Sequence, residues 1–244
     1  MRSSVNENKK IRLQVFLSHN GVCSRRKAMD YILEGKVTLN GALTLEPSTP
    51  VDAEKDVVCF EGQQVRAQKY AYVLLYKPQG YTTTTDDPHA DKIVLDLLPL
   101  NLRHLNPVGR LDKNTEGLLV LTNDGEVAQK MTHPSFHIEK VYFVVVKGVL
   151  NEADRTRLEK GVVFDGQRTA PAKIFDVRRA KDETSLHITI HEGRKRQVRR
   201  MFDVVGHDVI FLKREKQGPL RLDGLNAGQW RFLTPQEVNI IKQL

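Results

Sequence analysis

The chain has 244 residues, with 38 lysines and arginines against 30 aspartates and glutamates, a formal net charge of +8 and an isoelectric point near 9.4. Hydrophobic residues make up 40% and charged residues 28%, which suits a globular fold and excludes a wholly disordered chain. Two cysteines, Cys23 and Cys59, exclude a disulfide framework or a multi-cysteine zinc site, apolar runs such as Val141 to Val146 are too short for a bilayer, and Met1 to Asn8 lacks the apolar stretch of a signal peptide.

Taken in chain order, residues 1–10 are polar and read as a flexible end. Ile11 to Leu17 has the pattern of a short amphipathic helix ending at the turn signal Asn20-Gly21. Ser24 is placed to cap a second helix, Arg25 to Glu34, which Gly35 stops. Lys36 to Gly41 and Asp56 to Gly62 read as strands, so residues 11–66 form a small helix-helix-sheet unit, with 67–69 as a linker. In residues 70–244, strands are expected at Tyr70 to Tyr76, Gly117 to Thr122, Lys140 to Lys147, Lys173 to Arg178 and Leu186 to Ile190. Helices are expected after the Asn123-Asp124-Gly125 turn as far as Thr132, and from Glu152 to Lys160. In the segment Gly193 to Gly206, Val198, Met201, Phe202 and Val205 form one apolar face, and Thr234-Pro235-Gln236-Glu237 opens a terminal helix with a capping box. Strands and helices mixed without a βαβ rhythm indicate an α+β class with a mixed, mostly antiparallel sheet and flanking helices.

The positive charge is concentrated. Residues 11–66 carry seven basic and seven acidic side chains, whereas Gly193 to Arg221 alone carries nine against three. Such a cluster suits a phosphate backbone, and composition as a whole reads as soluble, cytoplasmic and drawn to polyanions. Arg25, Arg26 and Lys27 occupy the first turn of their helix, where the dipole disfavours cations by roughly 0.3–1 kcal/mol each, yet where free N–H groups and three cations together would seat a phosphate. Three solvated side chains are the simpler alternative.

Gly21 to Ala28 followed by Ile32 to Gly41 resembles the S4-type RNA-binding domain, which implies binding of structured RNA through that helix turn, with Arg12 on the same module. Further on, Gly109-Arg110-Leu111-Asp112-Lys113-Asn114-Thr115-Glu116-Gly117-Leu118-Leu119 sets an acid between an Arg-Leu pair and a glycine turn entering an apolar strand. On residue chemistry alone this is either a rim carboxylate or an ordinary turn cap. The segment resembles the catalytic signature of pseudouridine synthases. Lys77-Pro78-x-Gly80, His133-Pro134, Lys140-x-Tyr142, Glu192-Gly193-Arg194 with Gln197-Val198 and Arg200-Met201, and Leu212 through Leu220 match the same family. With the S4-type module, the chain is similar to the branch that modifies ribosomal RNA. The stretch from Glu192 to Met201 favours the large subunit.

That resemblance implies the site. Asp112 matches the essential aspartate, either nucleophile or stabiliser of a glycal-like sugar. Tyr142 matches the tyrosine that stacks on uracil and serves in proton transfer, and Arg199 the basic residue paired with the aspartate. Arg110 and Leu111 match the element that fills the place of a flipped nucleotide, and Leu212 an apolar floor under the base. Arg194, Lys195, Arg196 and Arg200 are expected to meet RNA, with Arg196 and Arg200 turned outward. The reaction moves C1′ of ribose from N1 to C5 of uracil, an isomerisation for which no cofactor and no metal is expected. His133 and His137 have i, i+4 spacing, but Pro134 breaks the helix and a third ligand is not evident. The expected partner is ribosomal RNA or a subunit assembly intermediate, bound by a monomer, with no membrane. Two departures, the run Thr82 to Thr85 and the charged Lys213 to Lys216, touch no catalytic position on this reading. The rival readings are a non-catalytic S4-domain RNA-binding or assembly factor, and a hydrolase using Asp112 as general acid or base.

Overall fold

The computed structural model describes residues 10–66, 68–85, 87 and 89–244. The expected flexible end falls, apart from Lys10, outside the described residues, as does position 67 of the expected linker. The chain divides into two compact units between Ala71 and Tyr72.

The first unit runs β1 (Ile11–Arg12), α1 (Leu13–His19), α2 (Arg25–Leu33), β2 (Val37–Leu39), β3 (Ala42–Leu43), β4 (Pro50–Val51), β5 (Val58–Phe60) and β6 (Gln63–Gln64). Leu13, Phe16 and Leu17 on α1 and Ala28 and Ile32 on α2 pack against Val37, Val51 and Val58. The helix expected from Ile11 starts two residues later. Ile11 and Arg12 pair instead with Val51 and Pro50, and the Leu13 and Gln14 N–H groups donate to Thr49 and Pro47 carbonyls at 2.8 and 3.1 Å, satisfying the helix start from outside. Ser24 caps α2, accepting from the Lys27 N–H. Asn40 and Gly41 both have positive φ and close the β2–β3 hairpin.

The second unit begins β7 (Tyr72–Lys77), β8 (Asn106–Pro107), β9 (Glu116–Thr122), α3 (Gly125–Thr132), β10 (Lys140–Lys147) and α4 (Glu152–Lys160). It continues with β11 (Val163–Phe164), β12 (Gln167–Arg168), β13 (Lys173–Arg179), β14 (Glu183–Ile190), α5 (Gln197–Val204), β15 (Val209–Gln217), β16 (Leu220–Arg221), β17 (Trp230–Phe232) and α6 (Pro235–Lys242). The fold is α+β, with a sheet of order β13-β14-β10-β15-β9-β7-β17. Neighbours are antiparallel except at one seam, where β15 runs parallel to β9 with Lys213 beside Glu116 and Arg214 beside Gly117. On the β7–β9 half, Leu74, Leu118 and Val120 are covered by Val127 and Met131 of α3 and Ile241 of α6. Strand β15 was not foreseen as a strand, because four charged residues among its nine obscure the apolar alternation.

Candidate active site

The seam brings together residues far apart in sequence. Tyr142 on β10 lies opposite Arg214 on β15, and Arg214 in turn lies beside Gly117 on β9. Directly opposed residues share a face, so Tyr142 and Leu212, which lies opposite Val144, line one side of the sheet. The loop carrying Asp112 enters the sheet at Glu116, next to that face. Gly117 is required there: its φ is +115°, and a Cβ would stand 2.2 Å from the Arg214 carbonyl oxygen.

Each carbonyl of the Asp112 loop is held. Lys77, fully buried at the end of β7, donates from Nζ to the carbonyls of Thr115 at 2.7 Å, Asp112 at 3.0 Å and Pro78 at 3.1 Å, with Lys113 at 3.5 Å. The Gly80 N–H also donates to Lys113 O at 2.7 Å. Thr83 takes Leu111, its hydroxyl donating to the carbonyl at 2.7 Å and accepting from the N–H at 3.2 Å. Arg199 takes Asn114 O at 2.8 Å from Nη2, while Nη1 donates to Val209 O at 2.9 Å. An ammonium has three protons to share, so Lys77 is satisfied without a carboxylate in contact. Burial pushes its pKa down to about 8, and the charges of Asp112 and Glu116 resist that shift.

The expected pairing of Arg199 with Asp112 takes an indirect form. The guanidinium sits on the backbone of the Asp112 loop, and no ion pair joins it to the carboxylate. Burial lowers the Arg199 pKa, as does Arg196, while Asp112 raises it, so the two charges sense each other. Arg199 Nε is buried with no hydrogen-bond partner among the described residues. Asp112 is half-buried, Tyr142 and Leu212 are buried, Leu111 is buried, and Arg110 is exposed.

Residues 71–203 match the family described as RNA pseudouridylate synthase, and residues 11–58 match the S4 domain. The chain belongs to the RNA pseudouridylate synthase family. It is 43% identical over 235 residues to ribosomal large subunit pseudouridine synthase B of Bacillus subtilis (strain 168), covering 96% of each chain. Identity to the protein of the same name from Pseudomonas aeruginosa is 36% over 243 residues, covering 95% of this chain and 62% of that one. A crystal structure of a pseudouridylate synthase aligns with TM-score 0.67 and 32% identity, over 95% of this chain and 99% of that one.

In this synthase the basic stretch after Gly193 divides into two pairs. Lys195 and Arg196 are exposed, with Arg196 Nη1 3.4 Å from Asn114 Oδ1. Arg194 and Arg200, both expected to meet RNA, are half-buried and already hold protein partners. Their guanidinium groups lie 3.9 and 4.4 Å from the Phe164 ring centroid. Arg194 donates to the Phe164 and Gln167 carbonyls at 2.9 and 3.1 Å, and Arg200 is ion-paired with Asp165. They clamp the β11–β12 hairpin to the start of α5. Arg200 is partly exposed, and its outer partner is Asp165 on the β11–β12 hairpin, which lies outside the segment that the helical wheel covers.

Sequence reasoning passed over Thr83 and Arg214 as parts of the site, and gave Thr115 and Gly117 of the signature, like Lys77 and Lys140 of the other matching motifs, no individual role. The two departures from the family pattern reach the Asp112 loop and the strand that follows it. Thr83 holds Leu111. Arg214 is buried and donates from Nε to Leu118 O at 2.8 Å, with Nη2 unpartnered among the described residues. Lys140 is buried, donates to Ile138 O at 3.2 Å, and is pushed by burial and then by Arg214 to a pKa of about 8. One signal was available for Lys77: a lysine closing the apolar run Tyr72 to Tyr76 and followed by proline has little reason to be solvated.

Proposed function

We propose that this synthase converts one uridine of large-subunit ribosomal RNA to pseudouridine, on Asp112, with the nucleotide flipped out of its stack. The observation that carries the reading is the loop 111–115, held at every carbonyl by Lys77, Gly80, Thr83 and Arg199 and leading into β9 beside β15, which bears Leu212 and pairs with the Tyr142 strand. A carboxylate held in a partly desolvated place can attack C1′ or stabilise the detached sugar without reorganising at the moment of reaction. In either case the C1′–N1 bond breaks, the uracil turns, and a C1′–C5 bond forms, with C5 losing its proton and N1 gaining one, so that the product is an isomer of uridine. Tyr142 stacks on the uracil and serves the proton transfer. Arg199 braces the Asp112 loop through the Asn114 carbonyl and sets a positive charge near the carboxylate. Arg110, exposed beside the loop, and Leu111 fill the space left by the base, and Leu212 lies beneath it. Extrusion costs a few kcal/mol, offset by contacts to the phosphate backbone from Arg12, Arg25, Arg26 and Lys27 of the S4 unit and from Lys195 and Arg196.

The large subunit is favoured by the stretch Glu192 to Met201 and by the names of the relatives from Bacillus subtilis and Pseudomonas aeruginosa. The reading takes the protein as a cytoplasmic monomer acting on ribosomal RNA or an assembly intermediate; among the described residues no helix is long and apolar enough to cross a membrane. Incubation with transcripts of each ribosomal RNA, followed by nucleoside chromatography, tests the reading. Pseudouridine from the large-subunit transcript, with no free uracil, is expected. Free uracil would make the protein a hydrolase, and no change in either RNA would favour a non-catalytic binding factor.

A further inference from the structure

The five carbonyls from Leu111 to Thr115 are held by charged groups or backbone at four positions and by one neutral side chain at the remaining one. That side chain is Thr83. It is buried, at 3% exposure, and its single hydroxyl serves both backbone groups of Leu111, donating at 2.7 Å and accepting at 3.2 Å. Leu111 is itself buried and lies outside any strand, so neither group has a ladder partner to fall back on. Buried backbone groups left unpaired cost on the order of 1–3 kcal/mol each. The backbone that presents Thr83 is fixed in turn. The Thr82 N–H donates to Lys92 O at 2.9 Å, the Val94 N–H donates to Thr82 O at 3.0 Å, and Thr82 bridges Ile93.

We propose that Thr83 is a positioning residue for the isomerisation. By fixing both ends of Leu111 it sets the direction in which the next residue, Asp112, leaves the chain. It also holds the Leu111 side chain where the extruded base vacates its stack. Lys77 and Arg199 fix the loop downstream of Asp112, and Thr83 fixes it upstream. A nucleophile misplaced by about 1 Å can lose on the order of 100-fold in rate, while ground-state RNA binding, made over a wide phosphate surface, is little affected.

The inference rests on the proposed function for its kinetic arm and stands apart from it for its structural arm. Thr83→Val keeps the shape and removes the hydroxyl, Thr83→Ser keeps the hydroxyl, and Thr83→Ala replaces the valine variant if that one does not fold. On the large-subunit transcript, Thr83→Val is expected to lose roughly 10- to 100-fold in kcat with KM within about threefold, and Thr83→Ser to stay within about threefold in both. Hydrogen exchange on the free protein should show the Leu111 amide deprotected in Thr83→Val and protected in Thr83→Ser. Wild-type kcat in Thr83→Val, or a lowered Tm with Leu111 protection intact, would overturn the assignment. A wild-type protein that makes no pseudouridine would instead sink the proposed function, leaving the exchange experiment to decide the contact.

Discussion

Gly117 joins the Asp112 loop to the sheet where β15 runs parallel to β9, and its demands are strict. Its φ of +115° disfavours any side chain, and the nearest atom to a would-be Cβ is a backbone oxygen that cannot rotate aside. Gly117→Ala is therefore expected to lose roughly 2–5 kcal/mol of unfolding free energy, read by chemical denaturation, and to lose activity even well below its melting temperature. Wild-type stability would mean that the seam is looser than described. Asp112, Tyr142 and Arg199 drew attention in the sequence because each sits in a dense local motif. Thr83, Arg214 and the orphaned Arg199 Nε did not, because their meaning depends on partners 28 to 96 residues away. Burial turns a threonine hydroxyl or an arginine into a structural tie only once the partner backbone is known.

At the level of elements, α5 and the β11–β12 hairpin act as one piece. The Phe164 ring is approached by two guanidinium groups, each attracted by the ring's π face. The same helix presents Arg199 to Asn114, so the hairpin steadies the arginine that reaches the Asp112 loop. Two double variants should separate structure from RNA contact. Arg194→Ala with Arg200→Ala is expected to lower the melting temperature and leave the dependence of RNA affinity on salt nearly unchanged. Lys195→Ala with Arg196→Ala should keep the melting temperature and flatten the plot of log affinity against log salt by about 1.5 units. The reverse pattern would restore the original reading of Arg194 and Arg200. Periodicity located α5 and its apolar face but could not assign the guanidinium groups on its flank, since an arginine at the edge of a helical stripe can turn to either side. The missed strand β15 and the late start of α1 have related causes: charge concealed one, and pairing with residues 50–51 drew out the other.

The molecule as a whole joins an RNA-binding unit to a catalytic one, an order that was legible from the two motif blocks because each fills a contiguous stretch. In the first unit Arg25, Arg26 and Lys27 remain exposed at the start of α2, capped by Ser24 rather than by an acid. Lys27 also lies 5.5 Å from the Tyr31 ring centroid. Replacing all three with alanine is expected to weaken RNA binding and flatten the salt dependence by up to about three units, one for each phosphate released. An unchanged slope would show that they only face solvent.

The most direct test of the central claim is the pseudouridine content of a large-subunit ribosomal RNA transcript after incubation with wild-type protein and with Asp112→Asn, each at saturating concentration and with RNA affinity measured alongside. The account predicts conversion by the wild type, none by the variant, and affinities within several-fold of each other. Equal conversion by both proteins would contradict it.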